Sequence, residues 1–260
     1  MPIVVFDVGG SSARMAVVRG GVVGASRRVE VTDASSLVRH ASAATRGLRG
    51  VAVSTAGFVD SERGRVRLSR AVPGLEGDLA RRLTSDLGCP TVVVNDGEAH
   101  AYAAGRIPDV DHGLVAISLG TSVGLGVLDA GGRPLRPCSG ENWDVGDWRL
   151  DTRASEREVW WALGSQGLAE VERSMGEDAG RAQYGYRLGG WIATLGVVFR
   201  PRTVVLSGGI ARAHWNRFAP ALHEELAAQT PEAARPQVVA SPFEEAGLVG
   251  AAVAFARRVG

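Results

Sequence analysis

The sequence predicts an α/β fold of two lobes, with mixed sheets flanked by helices. Two observations carry this. Short apolar runs of strand length alternate with helix-period stretches along the chain, the pattern of layered α/β proteins. In addition, one hairpin pattern of apolar run, polar glycine corner and apolar run occurs twice at an offset of 111 residues, with Gly9 over Gly120, Ser11 over Ser122 and Asp7 over Ser118. That period is well beyond the roughly 20–50 residues of solenoid repeats. It implies two related lobes, each opening with the same hairpin.

In chain order, residues 3–6 are apolar and end at Asp7, Gly9-Gly10-Ser11-Ser12 turns the chain, and the run at 15–18 returns. This reads as strand, tight turn, strand. Residues 50–54 and 90–94 read as further strands. Leu75, Leu79, Leu83 and Leu87 recur every four residues and mark a helix that should end near Gly88, with Pro90 beyond it. A short helix over 98–105 follows Asn95-Asp96. The second hairpin runs from 114–117 through Leu119-Gly120-Thr121-Ser122 to 124–128. Leu188, Trp191, Ile192, Leu195, Val198 and Phe199 form a helical stripe closed by Pro201. Residues 203–206 read as a buried strand ending in Ser207-Gly208-Gly209. Phe218, Leu222 and Leu226 mark another helix, and 246–258 is a small-residue apolar helix with a basic end. The lobe boundary is expected near residue 106, giving lobes 1–105 and 106–260, with the last helix folding back onto the first lobe.

Composition removes several function classes. The 260 residues carry a net charge of +1, so no basic surplus argues for nucleic acid or an anionic membrane. No apolar run approaches the ~20 residues of a membrane-spanning helix. The Met-Pro start runs straight into a strand without the charged region and cleavage site of a signal peptide, which leads to the expectation of a cytoplasmic protein. Cys89 and Cys138 are the two cysteines, far apart and outside any zinc-like pair. All 29 basic residues are arginine. A chain without lysine cannot build a P-loop, a pyridoxal Schiff base or a Schiff-base aldolase.

Three glycine corners follow strands: Gly9-Gly10-Ser11-Ser12, Gly120-Thr121-Ser122 and Gly208-Gly209. Backbone N–H groups in such turns form anion-binding nests, and glycine lets a phosphate approach closely. Ser11, Ser12, Thr121 and Ser122 add hydroxyl donors. Two facing corners can grip one polyphosphate from both sides. Asp7, at the end of the first strand, is placed to hold its metal ion directly or through water. Asn95-Asp96 ends the run at 91–94. It reads either as an ordinary helix cap or as a carboxylate at a strand's end that takes the proton of a substrate hydroxyl. Phosphoryl transfer needs mainly positioning and charge neutralisation, so one base and phosphate clamps suffice.

With these residues in view, the chain resembles the ROK family of sugar kinases, within the actin-like ATPase (ribonuclease H-like) superfamily, over nearly its whole length. Phe-Asp-Val-Gly-Gly-Ser-Ser at 6–12 is similar to the first phosphate motif, Ser-Thr-Ala-Gly-Phe-Val-Asp at 54–60 to the sugar-lobe segment with its glycine, here Gly57. Val-Asn-Asp-Gly-Glu-Ala at 94–99 is similar to the segment whose aspartate is the catalytic base, here Asp96. Leu-Gly-Thr-Ser-Val-Gly-Leu-Gly at 119–126 resembles the second phosphate motif, Leu-Ser-Gly-Gly-Ile at 206–210 the adenosine motif, and 245–252 the closing helix. The resemblance implies ATP and Mg²⁺, with Asp7, Gly9, Gly10, Ser11, Ser12, Gly120, Thr121, Ser122, Gly208 and Gly209 on the nucleotide. It implies a sugar-like acceptor at Gly57, Asn95 and Asp96, and a homodimer, for which Trp160-Trp161 offers a contact.

The departures fall on the substrate side. The family's Glu-x-Gly-His becomes Asp144-Val145-Gly146-Asp147, its zinc cysteines are missing from 150–158, and its Asn-Leu-Pro-Gly becomes Ala71-Val72-Pro73-Gly74. They weaken glucose as the acceptor more than they weaken kinase activity. Asp144 and Asp147 read either as a solvated loop between Trp143 and Trp148 or as partners for an amino group, which points to an aminosugar or aminocyclitol. His100 reads as a surface helix position, with the cleft wall as the alternative. Arg14 either reaches a phosphate or points outward. The rival readings are a sugar-responsive regulator without catalysis and another actin-like ATPase. Such regulators usually open with a helix-turn-helix, and a first strand at residue 3 leads us to expect none.

Overall fold

The computed structural model describes residues 2–10, 12–152 and 155–260. The first half holds β1 (Ile3–Val8), β2 (Ala13–Arg19), β3 (Val22–Val23), β4 (Arg27–Val29), α1 (Ala34–Ala44), β5 (Gly50–Thr55), β6 (Phe58–Asp60), β7 (Arg65–Leu68), α2 (Leu79–Leu87), β8 (Thr91–Asn95) and α3 (Asp96–Ala104). The second holds β9 (Leu114–Leu119), β10 (Val123–Leu128), β11 (Arg149–Thr152), β12 (Ser155–Glu158), α4 (Val159–Ala162), α5 (Ser165–Met175), α6 (Glu177–Phe199), β13 (Thr203–Ser207), α7 (Gly208–Gln229), β14 (Gln237–Ala240) and α8 (Ala246–Val259).

Two main sheets repeat one plan. The first runs β3-β2-β1-β5-β8, with β4 also on β2; the second runs β10-β9-β13-β14. In each, a hairpin supplies one antiparallel pair, and two further strands add in parallel (β1/β5/β8 and β9/β13/β14). The strand neighbours β5 and β13 are buried along their whole lengths, as strands covered on both faces must be. Their registers match too: Asp7 pairs across from Ser54, and Ser118 pairs across from Ser207. The 111-residue offset in the sequence is therefore a structural repeat, with β1 and β9 beginning and ending at equivalent positions.

Three apolar clusters fill the layers. One lies between the first sheet and α1 and α2, around Phe6, Leu37, Leu75 and Leu83. Another joins the second sheet to α5, α6 and α7, around Ile117, Tyr184, Leu188 and Phe218. The third lies between the two sheets and is built on α3 and α8. These two helices exchange sides: α3 packs on β9 and β10, whereas α8 packs on β1, β5 and β8. Their approach requires missing side chains. A Cβ on Gly250 of α8 would lie 1.7 Å from the Ala99 carbonyl oxygen of α3; where α3 meets β10, one on Gly126 would likewise lie 2.0 Å from that of Gly97. The small-residue composition of 246–258 follows from this contact.

Some sequence expectations shift. Leu75 is buried but precedes the second helix, because Gly77 (φ +106°) breaks the chain before the helix opens after Asp78. The third helix starts at Asp96 rather than at residue 98, because the Asn95 side chain accepts a hydrogen bond from Gly97 N and caps it. The helix marked by Phe218, Leu222 and Leu226 begins as early as Gly208, directly at the end of β13. Cys89 is buried, while Cys138 is exposed. Among the described residues, no helix is long and apolar enough to cross a membrane.

Candidate active site

The C-terminal ends of β1, β5, β8, β9 and β13 converge on a cleft of ≈ 470 Å³ between the two sheets. Gly9, Gly10 and Ser12 of the first corner line it, as do Gly120, Thr121 and Ser122 of the second and Gly208-Gly209 at the start of α7. Asp7, Gly57, Asn95, Asp96 and Asp144 line it as well. Ser11 lies outside the described residues. Asp147 is not on the cleft wall. It points to Arg70, 4.0 Å away, with most of its side chain exposed. Only one of the two neighbouring aspartates of the substrate-side departure thus reaches the cleft wall, the Trp148 N bond to the Val145 carbonyl turning the chain just after Asp144.

The corners are closed by their own backbones. Gly9 N donates to Ser12 O at 3.1 Å, closing a four-residue turn, and Gly120 N donates to Ser122 O at 3.0 Å, closing a turn one residue tighter at the equivalent corner. Gly208 takes φ +89°, and a Cβ there would sit 2.4 Å from the Leu119 carbonyl oxygen, so only glycine fits where α7 begins against the second corner. Gly57 is similarly constrained, at φ +119° with a would-be Cβ 2.3 Å from Leu68 O. Its carbonyl accepts from Asn95 Nδ2 at 3.1 Å, which fixes the amide beside Asp96.

Asp7 is partly buried, with Ser54 Oγ donating to its Oδ1 at 2.9 Å. Burial pushes its carboxyl group above the usual carboxylate range; the Ser54 bond and Arg14 pull it down, and Glu245 adds to the rise. Asp96 stands at the first turn of α3, where Gly97 N donates to its Oδ1 at 2.9 Å. Its carboxyl group is also held above the usual range, first by burial and then by Asp7, against the opposing pull of His100. The Asp144 carboxyl group is raised by desolvation and by the neighbouring Asp147, against the opposing pull of the Gly146 backbone and Arg70. Among the described residues, Asp144 has no salt-bridge partner.

Several cleft residues escaped the sequence reading. His100 lies on the cleft wall rather than on the surface, because α3 is sandwiched between the sheets; its Nδ1 is 2.6 Å from Ser207 Oγ. Arg14 neither points outward nor stands alone. Its guanidinium donates to Glu245 Oε2 at 2.6 Å, and Glu245 also accepts from Ser26 Oγ at 2.9 Å. Gly247 lies against the Asp7 carboxylate. Asn142 also lines the cleft, its Oδ1 accepting from Val59 N at 2.9 Å. Asn142 sits in a loop with no periodic or motif signal. Glu245 and Gly247, by contrast, lie in a segment that the sequence already marked. Among the described residues, no group of three or more His, Cys, Asp or Glu is arranged to hold a metal ion.

The chain belongs to the ROK family, whose model matches residues 7–156. The bifunctional enzyme NanE/NanK of Brucella suis biovar 1 (strain 1330) is 27% identical over 96% of this chain and 52% of its own length. The chain thus spans about half the length of the curated relatives it matches over its full extent. A ROK family glucokinase from Streptomyces griseus, solved with glucose and AMPPNP, superposes with a TM-score of 0.76 at 20% identity, over 97% of this chain and 98% of that one. A ROK family transcriptional regulator, a homologue of the E. coli MLC protein, superposes with a TM-score of 0.78 at 19% identity, over 97% of this chain and 77% of that one. The fold is the two-lobed actin-like ATPase fold expected from the sequence.

Proposed function

We propose that the chain is a carbohydrate kinase that transfers the γ-phosphoryl group of ATP·Mg²⁺ to a hydroxyl of a sugar-like acceptor. The carrying observation is that three glycine corners, Asp7 and Asp96, dispersed over more than two hundred residues, line one cleft. The names of the related NanE/NanK, a β-glucoside kinase of Listeria monocytogenes and the glucokinase support the same reading.

In this reading the first corner (Gly9, Gly10, Ser11, Ser12) and the second (Gly120, Thr121, Ser122) hold the phosphates by backbone N–H and hydroxyl groups. Gly208-Gly209 borders the adenosine, close to the start of α7. Asp7 takes the nucleotide's magnesium directly or through water; apart from Ser54 its carboxylate has no hydrogen-bond donor among the described residues, which leaves an oxygen for that task. Gly57 and Asn95 frame the acceptor. Asp96 accepts the acceptor's hydroxyl proton as the oxygen attacks the γ-phosphorus, and its raised proton affinity suits it to that step. The lobes, 1–105 and 106–260, close over the reactants and exclude water.

Asp144 specifies the acceptor further. Asp144 is a cleft-wall carboxylate that forms no salt bridge among the described residues and feels Arg70 only at longer range, so a substrate amino group would complement it and the acceptor is an aminosugar or an aminocyclitol. ADP release with ATP·Mg²⁺ against neutral hexoses, their amino analogues, N-acetylated sugars and cyclitols tests both levels, with Asp96→Asn as control. Turnover that the substitution removes supports the kinase. Equal turnover of hexoses and amino analogues overturns the amino preference. Sugar and ATP binding without turnover would instead favour the regulator-like reading that the second structural likeness keeps open.

A further inference from the structure

His100 lies one helical turn beyond Asp96, so both side chains leave the same face of α3. Its Nδ1 is 2.6 Å from Oγ of Ser207, a residue 107 positions away. Ser207 is buried, ends β13 and stands directly before Gly208-Gly209. One bond thus links the helix that carries Asp96 to the strand that delivers the nucleotide-side corner. Ser207 Oγ also lies 3.3 Å from the Ile117 carbonyl oxygen of β9. A carbonyl only accepts, and a serine hydroxyl has one proton to give. With that proton on Ile117, the imidazole donates from Nδ1, and its Nε2 is left as an acceptor.

We infer that His100 is a positioning residue for phosphoryl transfer, its bond to Ser207 holding Asp96 at a fixed offset from the Gly208-Gly209 corner. This rests on the kinase reading given above. Burial favours the neutral imidazole that such a fixed tautomer requires, although the Asp96 charge opposes it. The bond crosses the cleft floor between the halves of the molecule, where a shift of about 1 Å costs on the order of 10²-fold in rate. His100 acts here through α3 and needs no contact with the reacting atoms.

The test compares wild type, His100→Ala, His100→Asn, Ser207→Ala and the His100→Ala/Ser207→Ala pair on the acceptor found by screening. His100→Ala is expected to lower kcat by about 10- to 100-fold while KM for ATP and acceptor stays within about threefold. His100→Asn, whose side-chain N–H replaces Nδ1–H, should recover most of that loss. The double variant should be no slower than His100→Ala, because both substitutions break one bond. Multiplying losses in the double variant, or an asparagine no better than alanine, would overturn the inference. In ¹⁵N-histidine spectra, the resonance missing from His100→Asn should show Nδ1 protonation and shift in Ser207→Ala. A resonance indifferent to Ser207→Ala would also overturn the inference, whatever the kinetics. If wild type turns over no acceptor while the resonance responds to Ser207→Ala, the bond stands and the kinase reading is what fails.

Discussion

Gly247 faces Asp7 so closely that a Cβ on it would lie 2.4 Å from the carboxylate carbon. The first turn of the last helix therefore forms one wall around the carboxylate that ends the first strand. Elsewhere in a helix, alanine would be preferred over glycine by about 1 kcal/mol. Here Gly247→Ala should lower stability by about 1–3 kcal/mol through overpacking, measured by urea unfolding. It should also weaken ATP·Mg²⁺ binding, because the carboxylate is the group displaced. Unchanged nucleotide affinity in a folded variant would separate Asp7 from the nucleotide.

Asp96→Asn should lower kcat by about 10²–10⁴-fold with little change in nucleotide affinity, read by ADP release and by titration with a fluorescent ATP analogue. Wild-type turnover would remove the base role.

The same residue makes a pH prediction. Burial raises the Asp96 carboxyl group above its ordinary 3.8, so the folded state binds the proton more tightly than the unfolded chain does. The stability from this group is then complete below the unfolded value and is lost as pH rises through the folded one. Above the folded value the cost stands in full, so Asp96→Asn should raise the thermal midpoint most at the alkaline end, with the gain vanishing as the pH falls towards 3.8. For wild-type activity the carboxylate must be ionised, so kcat/KM should fall on acidification through a value above 3.8. A midpoint gain of equal size at all pH values would contradict the raised affinity.

Gly57→Ala should act on the acceptor side. The residue is held at φ +119° against Leu68 O, and an alanine there costs on the order of 1–3 kcal/mol in backbone strain before the clash is relieved. Because its carbonyl holds the Asn95 amide, acceptor KM should rise while ATP affinity stays near wild type. Steady-state kinetics varying each substrate in turn would show this, and a rise confined to ATP would contradict it.

Glu98 is buried on α3 and receives Arg136 through two hydrogen bonds, 3.1 Å to Oε2 and 2.8 Å to Oε1; Arg258 of α8 approaches at 3.4 Å and also donates to the Ser61 carbonyl. Removing the carboxylate leaves the shielded Arg136 with only the exposed Glu62, 2.7 Å away, and Arg258 with only the Ser61 carbonyl. Glu98→Ala should destabilise by about 3–5 kcal/mol, measured by denaturant unfolding. A loss below about 1 kcal/mol would mean that these charges are solvated rather than locked.

The glycine corners that line the cleft were legible in the sequence because their parts are local. A tight corner after a strand needs glycine and small hydroxyl residues within four positions, and that need leaves a written pattern at 9–12, 120–122 and 207–209. The acceptor side was less legible. Asp144 and Asp147 look alike in the sequence, yet a turn puts one on the cleft wall and the other towards Arg70. His100 carries no local mark of burial, since α3 has charged and apolar residues on every face and hardly any amphipathic contrast. Leu75 fits a helical spacing that Gly77 interrupts.

By itself the sequence determined the repeated hairpin, the strand–helix alternation and the positions of the glycine corners, because each depends on backbone geometry set within a few residues. The tertiary structure alone decided which distant side chains meet: His100 with Ser207, Arg14 with Glu245, and Gly247 with Asp7. Those meetings follow from α3 and α8 exchanging sides between the two sheets. That arrangement is selected by burial of apolar surface summed over the whole core, and no short window of the chain records it.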